Sequence, residues 1–596
     1  MTTSFIHPAL ILIVGAILLP FIKDPFRKIY LFMVPLTTFC DVLWLGTMKG
    51  TYGVFTFMGN WTLTFGRVDD LSFVFLFIMA LMCVIGTLYG IHVKNDWHHI
   101  AAWFYVAGSL GVILCGDYLV LFLFWEMMAF ASTFLVWFNK EDGALAAGYR
   151  YLLVHTFGGL VLLLGFVLRY QATGDLSFVH MDEGNMQTYS WLIMIGLMLN
   201  AAVPPLHSWL PDAYSKATIT GAVFMCAFTT KTAIYTLARA CAGFDILIVL
   251  GVIMAILGII YALFENDIRR LLGWEIVSQV GYMVTGVGIG TALAINGTAA
   301  HAFAHILYKG LLFMAVGSVV YSTGKSKFTE LGGLYKKMPL TFLFLLIGSL
   351  SVSAFPFLSG FVSKSMIISA SFEEHMLLAG FLLTMVSAGT FLVAGLRLPY
   401  LLFFGESRCS EETWEKACDP PGNMLAAMAT SSFFCLLVGC YLPFLYDMLP
   451  FHDVQYHPYS SYHLSETLQI LALTVVGFYF FKDKLIARPT ISLDLDWFYR
   501  KGGKGFLWLA SKPIQAIDNA WGEVYRVVGL VSLMTTAKFW GWFDWHGIDG
   551  VVDGIARLVR SFGGFVSRTL QRGQIQHTLC ITITFAAIAL FAFAWL

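Results

Sequence analysis

His301-Ala-Phe-Ala-His-Ile-Leu-Tyr-Lys-Gly-Leu-Leu-Phe313 lies inside an apolar run from 298 to 321, long enough to cross a bilayer. The only ionisable side chains in the quoted stretch besides Tyr308 are two imidazoles and one amine. His301, His305 and Lys309 fall at i, i+4 and i+8, so a helix carries all three on one face. A charged group at the bilayer centre costs about 2.5–3.5 kcal/mol on insertion scales. A chain that keeps such groups at membrane depth uses them for more than packing. The stretch reads as a transmembrane helix with a functional face.

The rest of the chain supports a membrane reading. It has 596 residues, of which 58% are hydrophobic and 12% charged, and its mean hydropathy is +0.76. Soluble domains carry about 25% charged residues, so most of this surface faces lipid. The formal net charge is +0, which excludes a strongly basic nucleic-acid footprint. The 10 cysteines are scattered from Cys40 to Cys580 with no C-x-x-C pair. Iron–sulfur and structural zinc sites need clustered thiolates, and no Gly-rich loop follows a strand pattern. Two histidines at i, i+4 without a carboxylate beside them make a poor metal site. Neither a metal nor a cofactor is expected.

Apolar runs fall at 6–22, 29–48, 71–92, 99–115, 118–138, 148–169, 190–210, 218–240, 244–264, 272–293, 298–321, 338–370, 376–404, 423–446, 465–481 and 576–596. That predicts about sixteen spans in an all-α polytopic protein, since runs this long exclude barrel strands. The first run has no basic segment before it and no small-residue cleavage site after it, so it reads as a span, not a removable signal. Basic residues concentrate in loops after odd-numbered spans, among them Lys23, Arg27, Lys28, Lys94, Lys140, Arg269, Arg270, Lys325 and Lys327. Loops after even-numbered spans hold chiefly Lys49 and Arg67. Both termini are therefore expected on the outer side of the cell (inner) membrane. The segment 485–575 is too charged to span and is dense in tryptophan, including Trp497, Trp508, Trp521, Trp540, Trp542 and Trp545. That composition suits an amphipathic helix in the membrane interface, with Gly502, Gly503, Pro513, Gly541 and Gly547 predicting bends or breaks.

Two spans carry proline at mid-depth, at Pro204-Pro205 and at Pro356. Such a proline removes a backbone hydrogen bond and opens the helix. Paired breaks in corresponding spans point to repeats built around discontinuous helices. Glu126 and Lys231 lie in apolar surroundings, and Lys364 follows the second break. In general, burial makes an amine release its proton more easily and a carboxylate hold it more tightly, and histidine already titrates near neutrality. A line of such groups bridged by water passes protons and excludes larger ions. Asp70, Asp117 and Asp267, near span ends, read instead as caps or loop ion pairs.

Pro205-Leu-His-Ser-Trp-Leu-Pro-Asp-Ala213, then Lys231-Thr-Ala-Ile-Tyr-Thr-Leu-Ala-Arg239, resembles the central signature of the antiporter-like subunits of respiratory complex I and of Mrp-type cation/proton antiporters. Asn266-Asp-Ile-Arg-Arg-Leu-Leu with Ser278 and Gly281, His301 to Phe313, and Ser359-Gly-Phe-Val-Ser-Lys364 resemble the motifs that follow, in family order. The resemblance covers about residues 65–400 and extends to the related membrane-bound hydrogenases. It implies two inverted five-helix repeats, each with a broken helix. It also implies a proton pathway through Glu126, Lys231, His301, His305, Lys309 and Lys364, with Asn200, Pro205, His207 and Pro356 beside it. One position departs: where the family has a lysine nine residues before the Trp of the broken-helix motif, this chain has Asn200. Glu126 would then pair with Lys231 or stay protonated. The interfacial segment, Arg572-Gly-Gln-Ile-Gln-His577 and a final span resemble the lateral-helix end of complex I's distal pump subunit.

The expected organisation is N-terminal helices 1–3 at 1–98, a first repeat at 99–241, a second at 242–405, helices 14–15 at 406–484, the lateral segment at 485–575 and a final span at 576–596. The function implied is proton translocation within a complex I-like, hydrogenase-like or Mrp-like assembly of membrane subunits, with no redox centre on this chain. Its partners are those subunits, the lipid bilayer, and protons or sodium, with no nucleic acid. The alternatives are a structural clamp with a degenerate first half-channel and a sodium/proton antiporter subunit.

Overall fold

A computed structural model describes residues 5–59, 61–489, 494–570 and 573–595, with Asp496 by its backbone alone. It divides into two units, Met1–Leu495 and Asp496–Leu596. The first unit opens with α1 (Pro8–Leu18), α2 (Phe26–Gly46), a hairpin of β1 (Gly50–Phe57) and β2 (Trp61–Val68), and α3 (Asp70–Gly90). There follow α4 (Asp96–Leu114), α5 (Tyr118–Trp137), α6 (Ala144–Thr173), α7 (Thr188–Asn200), α8 (Trp209–Lys216), α9 (Ile219–Ala227) and α10 (Thr229–Ala240). Next come α11 (Asp245–Phe264), α12 (Ile268–Ile289), α13 (Ala292–Thr323), α14 (Pro339–Val352), α15 (Ser359–Glu373) and α16 (Leu377–Thr390). The unit closes with α17 (Glu411–Lys416), α18 (Gly422–Cys440), α19 (Pro443–Tyr446) and α20 (Ser461–Phe481).

Among the described residues, 11 helices are long and apolar enough to cross a membrane. The other five apolar runs hold shorter, interrupted or less apolar helices: α1, the pairs α7/α8, α9/α10 and α14/α15, and α12. Two of these interruptions fall where the prolines predict them. The third does not: the run 218–240 breaks at Phe228, between α9 and α10, with neither proline nor glycine at the junction. The chain is also not purely α-helical. Thr, Val and Phe alternate through 50–57 and 61–68, a strand period, and the two segments pair antiparallel with Val54 opposite Thr64 and Phe57 opposite Trp61.

Burial centres on α13, which is buried without a gap from Leu293 to Val320. α12 is almost as completely buried despite carrying Arg269 and Glu275. It packs on α11 backbone to backbone. A Cβ on Gly251 or Gly258 of α11 would strike the backbone of Thr285 or Ser278, and one on Gly281 or Gly288 of α12 would strike Ala255 or Ile248. Small residues let membrane helices approach this closely. The carboxylates at helix starts have ordinary work. Asp117 accepts from the Leu119 and Val120 amides at 3.0 and 2.9 Å, and Asp267 accepts from those of Arg269 and Arg270, both at 2.9 Å. Asp117 pairs in an isolated bridge with Ser177, and Asp267 in the same way with Lys327. Asp70 is ion-paired with Lys49.

In the second unit the chain is helical from Asp496 to Leu570. The helix is α21 (Asp496–Leu509), α22 (Gln515–Val524), α23 (Ser532–Phe543) and α24 (Asp549–Leu570), joined by π-helical turns at Ala510–Ile514, Tyr525–Val531 and Asp544–Ile548. The expected breaks are absent: Gly502, Gly503 and Gly541 sit inside helix, and Pro513 and Gly547 fall in the wide turns. The wide turns absorb the missing proline amide without ending the helix. α25 (Ile575–Trp595) completes the unit. Arg572 of the motif before it lies outside the described residues.

Candidate functional site

Elementary electrostatics asks where each buried charge finds its partner. On α13, Lys309 is fully buried and its Nζ lies 2.6 Å from Oε2 of Glu275 on α12, also fully buried. An ion pair removed from water persists only when the geometry is close and both charges remain matched. Glu275 was not among the residues singled out from sequence, because it sits in the run 272–293 that reads as apolar. A signal existed: Trp125-Glu126 recurs as Trp274-Glu275, and His155 and Gly159 on α6 recur at matching spacing as His305 and Lys309 on α13.

The two imidazoles on α13 differ in their surroundings. His301 Nδ1 lies 3.1 Å from the Ser363 hydroxyl, and its Nε2 lies 3.4 Å from the Tyr308 hydroxyl. Among the described residues neither nitrogen of His305 has a hydrogen-bond partner, although the ring is fully buried. Its centroid is 6.3 Å from that of His301. A buried imidazole without a partner is costly in a dry core, and a bridging water satisfies it at little loss.

The helix breaks hold the other two lysines. Lys364 on α15 donates to the carbonyl of Val352, at the end of α14, at 2.9 Å. Its Nζ stands 5.1 Å from the centroid of the Tyr282 ring, and Tyr282 is 5.9 Å from His301. Ala354 and Phe357 flank Pro356 with φ of 56° and 67°, a conformation that favours glycine. Lys231, on α10, donates to the carbonyl of Cys226 at 2.6 Å and to the Thr230 hydroxyl at 3.1 Å. The interruption at Phe228 is what leaves the Cys226 carbonyl available. Both ammonium groups thus sit on carbonyls left open at helix breaks, that of Val352 because its helical partner Pro356 has no N–H.

Of the two alternatives for Glu126, the pairing with Lys231 does not form: the Lys231 ammonium group is held by Cys226 and Thr230. Among the described residues Glu126 Oε1 has no hydrogen-bond partner. It rests against Gly159, where any Cβ would collide with it. Gly159 stands beside Glu126 where Lys309 stands beside Glu275, and among the described residues no ion pair of Glu126 like that of Glu275 is found. Asn200 is fully buried at the end of α7, and its Oδ1 lies 2.8 Å from His155 Nδ1. Pro205 lies in the turn between α7 and α8, and His207 lies beyond it with its Nε2 3.3 Å from Asp494 Oδ1. This last contact ties the chain after α20 to the first break. Asp494 is held below the usual carboxylate range. Burial acts against this, but His207 and Ser208 beside the carboxyl outweigh it.

Residues 115–392 match the family described as NADH:quinone oxidoreductase/Mrp antiporter, transmembrane. Hydrogenase-4 component B of Escherichia coli is 27% identical over 418 residues, covering 63% of this chain and 62% of that protein. An Na(+)/H(+) antiporter subunit from Alkalihalophilus pseudofirmus is 30% identical over 401 residues, covering 60% of this chain and 50% of its own length. The chain thus spans between half and two thirds of these relatives. The fold also matches a chain of the membrane-bound sulfane sulfur reductase, an archaeal respiratory membrane complex, with TM-score 0.65 and 23% identity over 78% of this chain and 98% of that one. Residues 115–392, which hold both proline-marked helix breaks and Glu126, Lys231, Glu275, Lys309 and Lys364, are thus the part of the chain that is similar to the NADH:quinone oxidoreductase/Mrp antiporter transmembrane family.

Proposed function

We propose that this chain is a proton-translocating subunit of a multi-subunit membrane assembly. Its core consists of two inverted five-helix repeats, α4–α10 and α11–α16, within about sixteen spans, and both termini face the outer side of the cell membrane. The observation that carries this reading is the set of buried ionisable groups in the second repeat. Lys309 and Glu275 form an enclosed pair, His301 and His305 continue along the same helix face, and Lys364 sits at the break. No structural economy explains so many charges at that depth. Water between them completes a relay in which Lys364 exchanges protons with one aqueous side.

The relatives' printed names support a role within hydrogenase-type or Na(+)/H(+) antiporter assemblies. Protons are favoured over sodium as the ion carried through the second repeat. Sodium takes a cluster of oxygen ligands, whereas the acid there, Glu275, is already neutralised by Lys309. The first repeat differs. With Gly159 and Asn200 in place of amines, Glu126 has no ion-pair partner among the described residues, and we assign the main route to the second repeat.

The experiment is formation of a pH gradient in sealed vesicles containing the assembled complex, with and without sodium, for wild type and Lys364→Ala. A gradient that forms without sodium and collapses in the variant supports the reading. A gradient indifferent to Lys364 refutes it and favours a bracing role.

A further inference from the structure

Lys364 is almost entirely shielded from solvent, at 1% exposure, so a proton that leaves it needs a way out. A cavity of about 40 Å³ adjoins it, lined by Ser353, Lys364, Thr384, Ser387, His463 and Glu466 among others. A water needs about 10–15 Å³ of such volume, so the space holds two or three. Five of the lining residues, His463 and Glu466 among them, come from α20, a helix outside the residues that the family match covers. Leu471 is the single buried residue of α20, yet its first turns direct an imidazole and a carboxylate into the bundle.

The exposures form a gradient. The Glu466 side chain is 37% exposed, that of His463 is 19% exposed, and Lys364 is closed. His463 Nδ1 stands 3.9 Å from Glu466 Oε2, and among the described residues its buried Nε2 has no hydrogen-bond partner. The His463 ring centroid lies 5.0 Å from that of Phe361, on the same helix as Lys364. The structural alternative, an ion pair that merely pins α20, is weak, because a half-exposed contact at 3.9 Å contributes little.

We propose that His463 and Glu466 form the port through which Lys364 exchanges protons with the aqueous side bearing the loop 447–464. The proposal rests on the proton-translocating reading above. Lys364 gives an N–H proton to cavity water, the water passes one to the His463 imidazole or the Glu466 carboxylate, and Glu466 releases it to bulk. The water, His463 and Glu466 each return to their starting state, and Lys364 takes a replacement proton from the relay behind it, so the step needs no other reactant.

The test uses the whole assembled complex in sealed vesicles. Glu466→Gln combined with His463→Gln should slow gradient formation at least fivefold, and Glu466→Asp alone should retain most of the rate, which a merely steric role would not predict. Thr467→Cys gives a second readout independent of these variants, since Thr467 lines the same cavity. A membrane-impermeant cationic methanethiosulfonate added on the loop side should inhibit the Thr467→Cys complex at least fivefold in a Cys440→Ser background and leave the Cys440→Ser complex alone unaffected, since Cys440 is exposed near that loop. If the double variant pumps at the wild-type rate, or the reagent has no effect, while Lys364→Ala still abolishes pumping, the port is refuted and the translocating reading stands. If Lys364→Ala also pumps normally, the translocating reading itself fails.

Discussion

Glu275→Gln is the sharpest perturbation the site offers, because it removes one charge and almost no volume. Glu275 and Lys309 are 2.6 Å apart. At an effective dielectric of about 20 their attraction is roughly 6 kcal/mol. Removing one member of a buried pair typically costs about 3–5 kcal/mol, because the other charge is left unmatched. If a third of the attraction, about 2 kcal/mol, enters the barrier for moving charge past Lys309, pumping slows about 30-fold. The variant should also unfold at a lower temperature in detergent. Adding Lys309→Met removes the stranded amine, so the double variant should regain most of the thermal stability, the non-additivity expected of contacting residues, without regaining transport. The assays are dye-reported gradient formation in vesicles and thermal unfolding of the purified complex. A Glu275→Gln complex that pumps and melts like wild type would refute the reasoning.

Gly159→Ala places a methyl group against Glu126 Oε1. It should destabilise by about 1–3 kcal/mol, as overpacking does, and Glu126→Ala in the same chain should relieve the cost, both read by thermal unfolding. Asp494→Asn weakens the contact with His207 and should accelerate proteolysis in the stretch after α20. Because the folded state holds the Asp494 carboxyl below its unfolded range, this contribution is full above the ordinary carboxylate range. On the carboxylate side it is lost as pH falls through the depressed value, so proteolysis of wild type should rise in strong acid.

The features legible in the sequence are those with local causes. Pro205 and Pro356 mark helix breaks because proline cannot donate, and His301, His305 and Lys309 share a face because of the helical period. The break at Phe228 was hidden, since it depends on tertiary contacts: Tyr105 on α4 accepts from the Thr229 amide at 2.9 Å and holds the junction open. Glu275 was hidden because an acid paired across helices looks, within its own helix, like an isolated polar residue in an apolar run. His463 and Glu466 were hidden for a similar reason. At the start of a span they resemble ordinary interfacial residues, and only the packing of α20 against α15 and α16 turns them inward. The hairpin at 50–68 was overlooked because the runs on either side dominate the composition.

The glycine contacts between α11 and α12 carry a mechanical consequence. With glycines on both helices pressed against the opposite backbone, the two main chains mesh like gear teeth. Sliding one past the other by a single residue, about 1.5 Å, would drive larger side chains into those notches. α12 is therefore a fixed stator, and Glu275 has no freedom to travel with its helix. Whatever separates the charges of that pair during a cycle has to be light: a rotating lysine side chain, an arriving water, or the proton itself.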